Sequence, residues 1–454
     1  MNLILPIEIK KRELEAKILL GLTAAESGFD VLLGEKGDVN WVASDLRNLG
    51  GIILHKDISP VKKRNKFLKK VIQNGFVNSV QDEESGLLEK DYNDFALKRF
   101  SFENADLTHY IFCWGKRDFN YFQDIFKNSL IQPRLTGSPR VDLWRKNFDR
   151  YYHVGKSNDY ILIVSNFGHA LGRDRFSEKL TRAAFKDIKD NISYGRHVLR
   201  YQSFQAKTVE KLILFILDLN DRMDGYEIII RPHPIDDPGA WVQIFNGYKK
   251  IRIVSDGPLT PLVRNAKALV HNGCTTGLEA FVSEVPSYSF CPYGSWKDTE
   301  YADRFSVKIK NVDEFISSFN QLGAYEVKIH NERPGLMNMF NERVFINEDQ
   351  FAADIIVDEF KKGYVSTFDV RLQEKLNKIR YVNWKRYLIK KLRDLILNTL
   401  GRGGADMSFK YPEHSFEEVK KIADGLSSTL NRFEEIGLFN AGPKSVMIVS
   451  KNKN

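Results

Sequence analysis

The sequence predicts an α/β protein made of two successive parallel-sheet halves. Short apolar runs alternate with helical stretches, the signature of a parallel sheet with helices between its strands. The alternation lapses near residue 150 and restarts at Tyr160–Val164. Some runs, Ile228-Ile229-Ile230 above all, are apolar without interruption, as in strands covered on both faces.

In the first half, residues 3–9 read as a strand. Residues 12–28 read as a helix, with Leu14, Ile18, Leu22 and Ala25 near 3.6-residue spacing. Strands follow at 31–33, ending in Gly34, and at 51–54. A basic helix at 62–72 precedes the strand Phe76–Val80. Tyr110–Cys113 ends in Trp114-Gly115, and 134–136 ends in Gly137-Ser138-Pro139-Arg140. In the second half Tyr160–Val164 ends in Ser165-Asn166-Phe167-Gly168, and a long helix at 202–223 leads to the strand 228–230. Residues 251–254 end in Ser255-Asp256-Gly257-Pro258, 268–270 in a Gly/Thr turn, and Ser287–Phe290 in Cys291-Pro292. The division falls in the charged segment 145–158, giving a first Rossmann-like domain at 1–150 and a second at 151–340. Two such domains facing each other across a cleft form the GT-B arrangement, which some sugar epimerases share. From 341 to 454 the chain turns helical and basic. Leu372, Leu376, Ile379, Val382, Leu388, Leu392 and Leu395 make an apolar stripe interleaved with Tyr381, Trp384 and Tyr387. Residues 401–414 read as a loop, and Ser415-Phe416-Glu417-Glu418 has capping-box spacing before another helix.

A chain of 454 residues exceeds one ordinary core. Cys113, Cys274 and Cys291 are widely spaced, which argues against a zinc site or a disulfide framework and fits a reducing cytoplasm. Glu8 arrives too soon for the N-terminus to read as a signal peptide, and no apolar run reaches membrane-span length. The expected location is therefore cytoplasmic. The net charge of +9 is uneven: Lys375, Lys378, Arg380, Lys385, Arg386, Lys390, Lys391 and Arg393 are opposed only by Glu374 and Asp394. Residues 371–400 read either as an interfacial helix holding the protein to the inner face of the cell membrane or as a bracing helix with a solvated basic face. No RRM, KH or zinc pattern accompanies them, so nucleic acid is not an expected partner.

The chemistry concentrates at strand ends. Pro232 and Pro234 cannot extend the strand 228–230, so Arg231 and His233 fall in the turn at its carboxyl end, where open α/β sheets bind ligands. Arg231 offers a donor fork for phosphate, and His233 a second donor or a proton carrier. Asn272-Gly273-Cys274-Thr275-Thr276-Gly277-Leu278-Glu279 reads as a turn opening a helix whose first amides suit an anion. Glu279, one turn in, could accept sugar hydroxyls. This spacing matches neither a P-loop nor a dinucleotide fingerprint. Ser255 and Asp256 read equally as a base or ribose contact and as a small polar turn; Asn166 is a further ligand candidate, and His271 packs or caps its strand end. In the first half, Gln81-Asp82-Glu83-Glu84-Ser85-Gly86 follows a strand. It is a source of a base or nucleophile, or else a solvated acidic loop. Ser138 and Arg140, and Glu8 and Arg12 in the first loop, are acceptor-side candidates that could equally be strand-end and helix-start residues.

Several motifs together resemble the bacterial surface carbohydrate biosynthesis proteins. They are Ile7-Glu8 with Arg12-Glu13-Leu14 and Ala16-Lys17; Asp82-Glu83-Glu84; Thr136-Gly137 with Pro139-Arg140, Asp142 and Leu143; and Arg231-Pro232-His233-Pro234 with Gly273–Ala280. The resemblance spans roughly residues 1–330 and leaves the tail beyond 340 uncovered. The family's usual Gly-Asn-Pro-Arg stands here as Gly137-Ser138-Pro139-Arg140, and its Asp-Glu-Glu-Gly as Asp82-Glu83-Glu84-Ser85. That family is similar to GT-B glycosyltransferases, including Kdo transferases and sialyltransferases that use CMP-sugars and carry a His-Pro motif. It is also similar to CDP-glycerol transferases that carry Arg-x-His-Pro. The resemblance implies a transferase of surface polysaccharide or lipopolysaccharide synthesis that needs no metal or other cofactor. It implies a nucleotide-sugar donor, foremost a CMP-linked 2-keto acid sugar such as Kdo, and a glycan or lipid-linked acceptor. Arg231, His233, Pro234 and Thr275–Glu279 would hold the nucleotide, and Glu84, or Glu83, would act as base or nucleophile. A CDP-polyol phosphotransferase, a UDP-sugar 2-epimerase and a non-catalytic membrane-associated assembly protein are the alternatives.

Overall fold

A computed structural model describes residues 1–85, 87–88, 91–154, 159–168, 170–172, 176–182, 184, 189, 192–363, 370–399, 411 and 416–451. The chain divides into two compact units. Unit 1 is Met1–Gly86, Asp91–Tyr151 and Met337–Asn454; unit 2 is Leu87–Lys90 and Tyr152–Leu336.

Unit 1 is built on β1 (Asn2–Ile7), β2 (Asp30–Glu35), β3 (Gly51–His55), β4 (Phe76–Val80), β5 (Tyr110–Cys113) and β6 (Gln132–Leu135), all parallel. Two strands from the end of the chain, β13 (Ile436–Gly442) and β14 (Ser445–Ser450), complete an eight-stranded sheet in the order β13-β14-β2-β1-β3-β4-β5-β6. Because β3 is fully buried and β1 is buried at all but Pro6, they read as apolar runs rather than alternations. Unit 2 carries β7 (Tyr160–Val164), β8 (Glu227–Arg231), β9 (Ile251–Ile253), β10 (Ala268–His271), β11 (Ser287–Phe290) and β12 (Val307–Ile309) in one parallel sheet, ordered β12-β11-β10-β7-β8-β9. Its core packs Ile228 and Ile230 against Leu212, Phe215, Ile216 and Leu219 of the helix Ile192–Arg222. The α/β class with two parallel sheets is as the sequence predicts.

The tail differs from its expected character as a separate helical extension. Its helices are present at Ala352–Gly363, Leu376–Thr399 and Phe416–Leu430, but they belong to unit 1. β14 pairs antiparallel with β2, from Ser445 opposite Gly34 to Ile448 opposite Val31. The physical reason is an edge: β2 would otherwise present unpaired amides and carbonyls beside an apolar face. Val446, Met447, Ile448 and Val449 are buried in covering it. Within the predicted 401–414 loop only Tyr411 is described, and Ser415 of the capping box lies outside the described residues. Among the described residues, no helix is long and apolar enough to cross a membrane.

Candidate functional site

In unit 2 the strand order reverses between β7 and β10: the chain runs outward through β8 and β9, then returns to the other side of β7. Ligands of open α/β sheets bind at the carboxyl ends of the strands flanking such a switch. The two loops there are joined. Asn166, after β7, donates through Nδ2 to the Gly273 carbonyl (3.5 Å), and Asn272, after β10, donates back to the Asn166 carbonyl (3.3 Å). The loop after β8 is tied to the same place by Asp236. Its Oδ2 accepts from Ser165 Oγ (2.6 Å) and its Oδ1 from the Phe167 amide (3.0 Å). Ser165 Oγ also accepts from the His233 amide (3.3 Å). Asp236 is fully buried, and burial pushes its carboxyl up to about 6 against the pull of these donors. It went unrecognised in the sequence because Asp237, next to it, is the visible helix cap, accepting from the Gly239 amide.

His233 is half-buried, and its Nδ1 accepts from the Ile235 amide (3.2 Å). An Nδ1 that accepts places the ring N–H on Nε2. Pro234 is exposed beside it.

Arg231, the expected phosphate clamp, is held by backbone carbonyls. It is 6% exposed, and its fork donates to the carbonyls of Val254 (3.1 Å), Asp256 (2.6 Å) and Gly257 (2.6 Å). It thereby fixes the Ser255–Gly257 turn, which leaves the Asp256 side chain exposed. Burial of the guanidinium lowers its pKa.

The helix Thr276–Ser283 also departs from expectation. His271 is buried in β10 and its Nδ1 accepts from the amides of Gly273 (3.1 Å) and Cys274 (3.5 Å), while Nε2 meets Ser306 Oγ (2.9 Å). Burial holds this imidazole down at about 4, hence neutral. The turn preceding the helix therefore spends two amides on a neutral ring rather than offering them to an anion. Thr275 stands at the N-cap without a side-chain bond, Thr276 is buried, and Glu279 is 3% exposed with its charge acting on Arg264. Gly273 has φ +70°, and a Cβ there would lie 2.5 Å from Thr299 Oγ1, so the turn excludes side chains. The same segment carries Trp296, packed by Tyr201 and Phe204 with ring centroids 5.1 Å away in each case. Sequence periodicity gave no sign of this half-buried aromatic group.

In unit 1 the acidic loop after β4 is not a solvated surface. Asp82 is 3% and Glu83 5% exposed. Asp82 Oδ1 accepts from the Glu84 amide (2.7 Å), and its Oδ2 pairs with Arg99. Glu84 is gripped by Arg12 on one oxygen and Arg99 on the other. Burial alone would raise its pKa; the two guanidiniums prevail and hold it at about 2. Glu83 pairs with buried Lys17 (2.9 Å); burial favours its protonated form, but Lys17, Arg12 and Lys56 together lower its pKa. Glu13, 1% exposed, accepts from the Glu8 amide (2.8 Å) and from Arg12 (2.9 Å). Burial first and the charge of Glu83 second push its carboxyl up. Glu13 and Glu83 thus form a pair whose surroundings drive their protonation apart. The sequence showed Glu13 only as part of a helix start; its burial comes from the packing of that helix.

The other candidates on this side fall into two groups. Ser138 caps the short helix Pro139–Asp142 by accepting from the Arg140 amide (3.3 Å). Arg140 donates to the Glu83 carbonyl (3.3 Å) and lies over Trp144. Glu8 follows β1 directly, and Arg12 lies in the first turn of the helix Lys10–Glu26. The unit 1 strand order switches between β1 and β3, and there a recess opens, lined by Glu8, Glu13, Lys36, Asn40, Lys56 and Arg64 among others. Lys56 faces Glu8 at 3.6 Å and Arg64 pairs with Asp57 at 3.1 Å. Burial lowers the Lys36 pKa. Among the described residues, no group of three or more His, Cys, Asp or Glu could hold a metal ion.

No protein-family model matches the sequence, and no curated protein matches it. Solved structures with a similar course include the UDP-GlcNAc 2-epimerase of Methanocaldococcus jannaschii in complex with UDP-GlcNAc and UDP. It is 14% identical, with 80% of this chain and 100% of that one covered, at a TM-score of 0.43. A putative UDP-N-acetylglucosamine 2-epimerase from Listeria monocytogenes is 12% identical, with 82% and 98% covered, at 0.47. The wall teichoic acid polymerase TagF, soaked with CDPG, is 11% identical, with 80% and 88% covered, at 0.43. The fold assignment rests on the strand orders above, not on these neighbours.

Proposed function

We propose that the protein is a nucleotide-sugar-dependent glycosyltransferase of surface polysaccharide synthesis, with a CMP-linked 2-keto acid sugar as donor and a glycan as acceptor. The observation that carries the nucleotide assignment is the joined set of loops at the β7/β10 switch point of unit 2, with His233 Nε2 as donor beside it. In this reading His233 binds the leaving phosphate, Asp236 and Arg231 position its loop and the neighbouring turn, and Ser255 and Asp256 reach the base or ribose. In unit 1, the carboxylates Glu13, Glu83 and Glu84 are the candidates for proton handling. Glu84 is too firmly ionised to be a good base, so the proton-handling role passes to the Glu13–Glu83 pair. The test is thermal shift with CMP, CDP and UDP. Stabilisation of about 2–3 kcal/mol is expected at saturating CMP, and none in His233→Ala. Absence of stabilisation by all three nucleotides would overturn the reading.

One observation favours a second reading, a UDP-sugar 2-epimerase. Removing and returning a proton is served by two carboxyls of opposed proton affinity, and burial and the Glu83 charge push Glu13 up while Lys17 and its cationic neighbours draw Glu83 down. Preferential stabilisation by UDP, with interconversion of a UDP-sugar in the absence of any acceptor, would select it.

A further inference from the structure

The helix Leu376–Thr399 has two different halves. Its first half is anchored in unit 1: Ile379 and Asn383 are fully buried, and Leu376 and Val382 pack on the same core. Asn383 accepts from Trp41 Nε1 (2.7 Å) and donates to the Ala441 carbonyl (3.0 Å) and Ser445 Oγ (2.9 Å). These bonds fix the rotation of the helix about its axis. The opposite face then points outward carrying Tyr381, Trp384, Leu388, Leu392 and Leu395, at successive spacings of three or four residues that make one stripe. Those side chains are 68%, 43%, 58%, 59% and 65% exposed, with Ile389 and Ile396 beside them also exposed. Single exposed leucines mean little, but a continuous stripe on a rigidly anchored helix marks an interaction surface.

Charge decides what covers it. Lys378, Arg380, Lys385, Arg386, Lys390, Lys391 and Arg393 share this helix with Asp394 alone, and Asp394 is paired with Arg393 at 3.2 Å. On a helical wheel Lys391 borders one edge of the stripe and Lys385 the other. A second copy of the chain would set these cations against their like. A nucleic acid would leave the leucines in water. An anionic bilayer satisfies both: headgroup phosphates take the flanking cations, the leucines enter the acyl boundary, and Trp384 and Tyr381 sit at headgroup depth.

We propose that residues 381–396 form an interfacial helix that seats unit 1 on an anionic lipid surface, lying in the membrane plane along about 24 Å of its length. Deleting the helix would strip Ile379 and Asn383 from the core, so point variants on the exposed stripe are the test. The full chain should co-sediment with phosphatidylcholine vesicles containing phosphatidylglycerol and not with phosphatidylcholine alone. Leu388→Glu/Leu392→Glu should weaken binding by roughly a hundredfold or more. Lys385→Gln/Lys391→Gln should weaken it roughly thirtyfold. Both should keep the parent's circular dichroism and melting temperature. Tryptophan emission should shift to the blue on vesicle addition, and this shift should vanish in Trp384→Phe while sedimentation persists. Three results would each overturn the proposal: no binding to anionic vesicles, unchanged binding by the Leu388→Glu/Leu392→Glu variant, or a dimer in light scattering that this variant dissolves.

Discussion

Glu13 and Glu84 are carboxylates of one strand-end network in unit 1, yet their neighbours give them opposite character. Two guanidiniums hold Glu84 ionised, while burial and the nearby Glu83 charge favour the protonated form of Glu13. On the proposed function, Glu13→Gln should lower kcat by about a hundredfold or more with little change in KM. Glu84→Gln, which leaves Arg12 and Arg99 without their shared carboxylate, should act mainly on stability. Steady-state kinetics and melting curves of the two variants separate these outcomes. In unit 2, Asp236 has a carboxyl raised to about 6 by burial. A raised folded-state value means the folded protein holds the proton more tightly than the unfolded chain. The associated stability is therefore complete below about pH 4 and lost as pH rises through about 6, amounting to as much as about 3 kcal/mol. Denaturation at pH 4.5 and 6.5 should show a smaller difference for Asp236→Asn than for the parent; an equal difference would remove Asp236 from this role.

At the scale of elements, the turn between β10 and its helix was legible as a strand, a Gly/Thr turn and a helix start, but its purpose was not. Its composition suits an anion site. The amides of Gly273 and Cys274 are instead spent on His271 Nδ1, a bond that depends on the rotamer of a ring inside the sheet. Gly277 shows the same dependence. In an exposed helix, Gly→Ala would stabilise by about 1 kcal/mol. Here the added Cβ would lie 2.5 Å from His271 Nε2. Gly277→Ala should therefore destabilise the protein by about 1–3 kcal/mol in urea denaturation. A stabilised variant would mean that His271 can move. The Arg231 fork is a parallel case: strand, Pro and Arg were readable, whereas the three carbonyls that occupy it come from another strand's loop.

At the scale of the whole chain, the return of residues 436–450 to the first sheet is the largest departure from the linear reading. Met447 and Ile448 lie opposite Leu32 and Val31, so β2 depends on a segment more than four hundred residues away in sequence. Truncation after Leu430 should expose the β2 edge and its apolar face, giving aggregated protein by size-exclusion chromatography. A soluble monomer with native circular dichroism would show that unit 1 closes without β13 and β14.

The alternation of apolar runs with helical periodicity determined the α/β class, the restart near residue 160 and the positions of most strand ends. These are local consequences of side-chain period and of Pro and Gly, and the chain carries them in order. Only the tertiary structure decided which strand ends become neighbours. The β7/β10 and β1/β3 switch points, the Asp236 tie, the opposed environments of Glu13 and Glu84, and the recruitment of β14 all depend on contacts between residues far apart in sequence. Burial, protonation and the occupancy of a donor fork are set by those contacts.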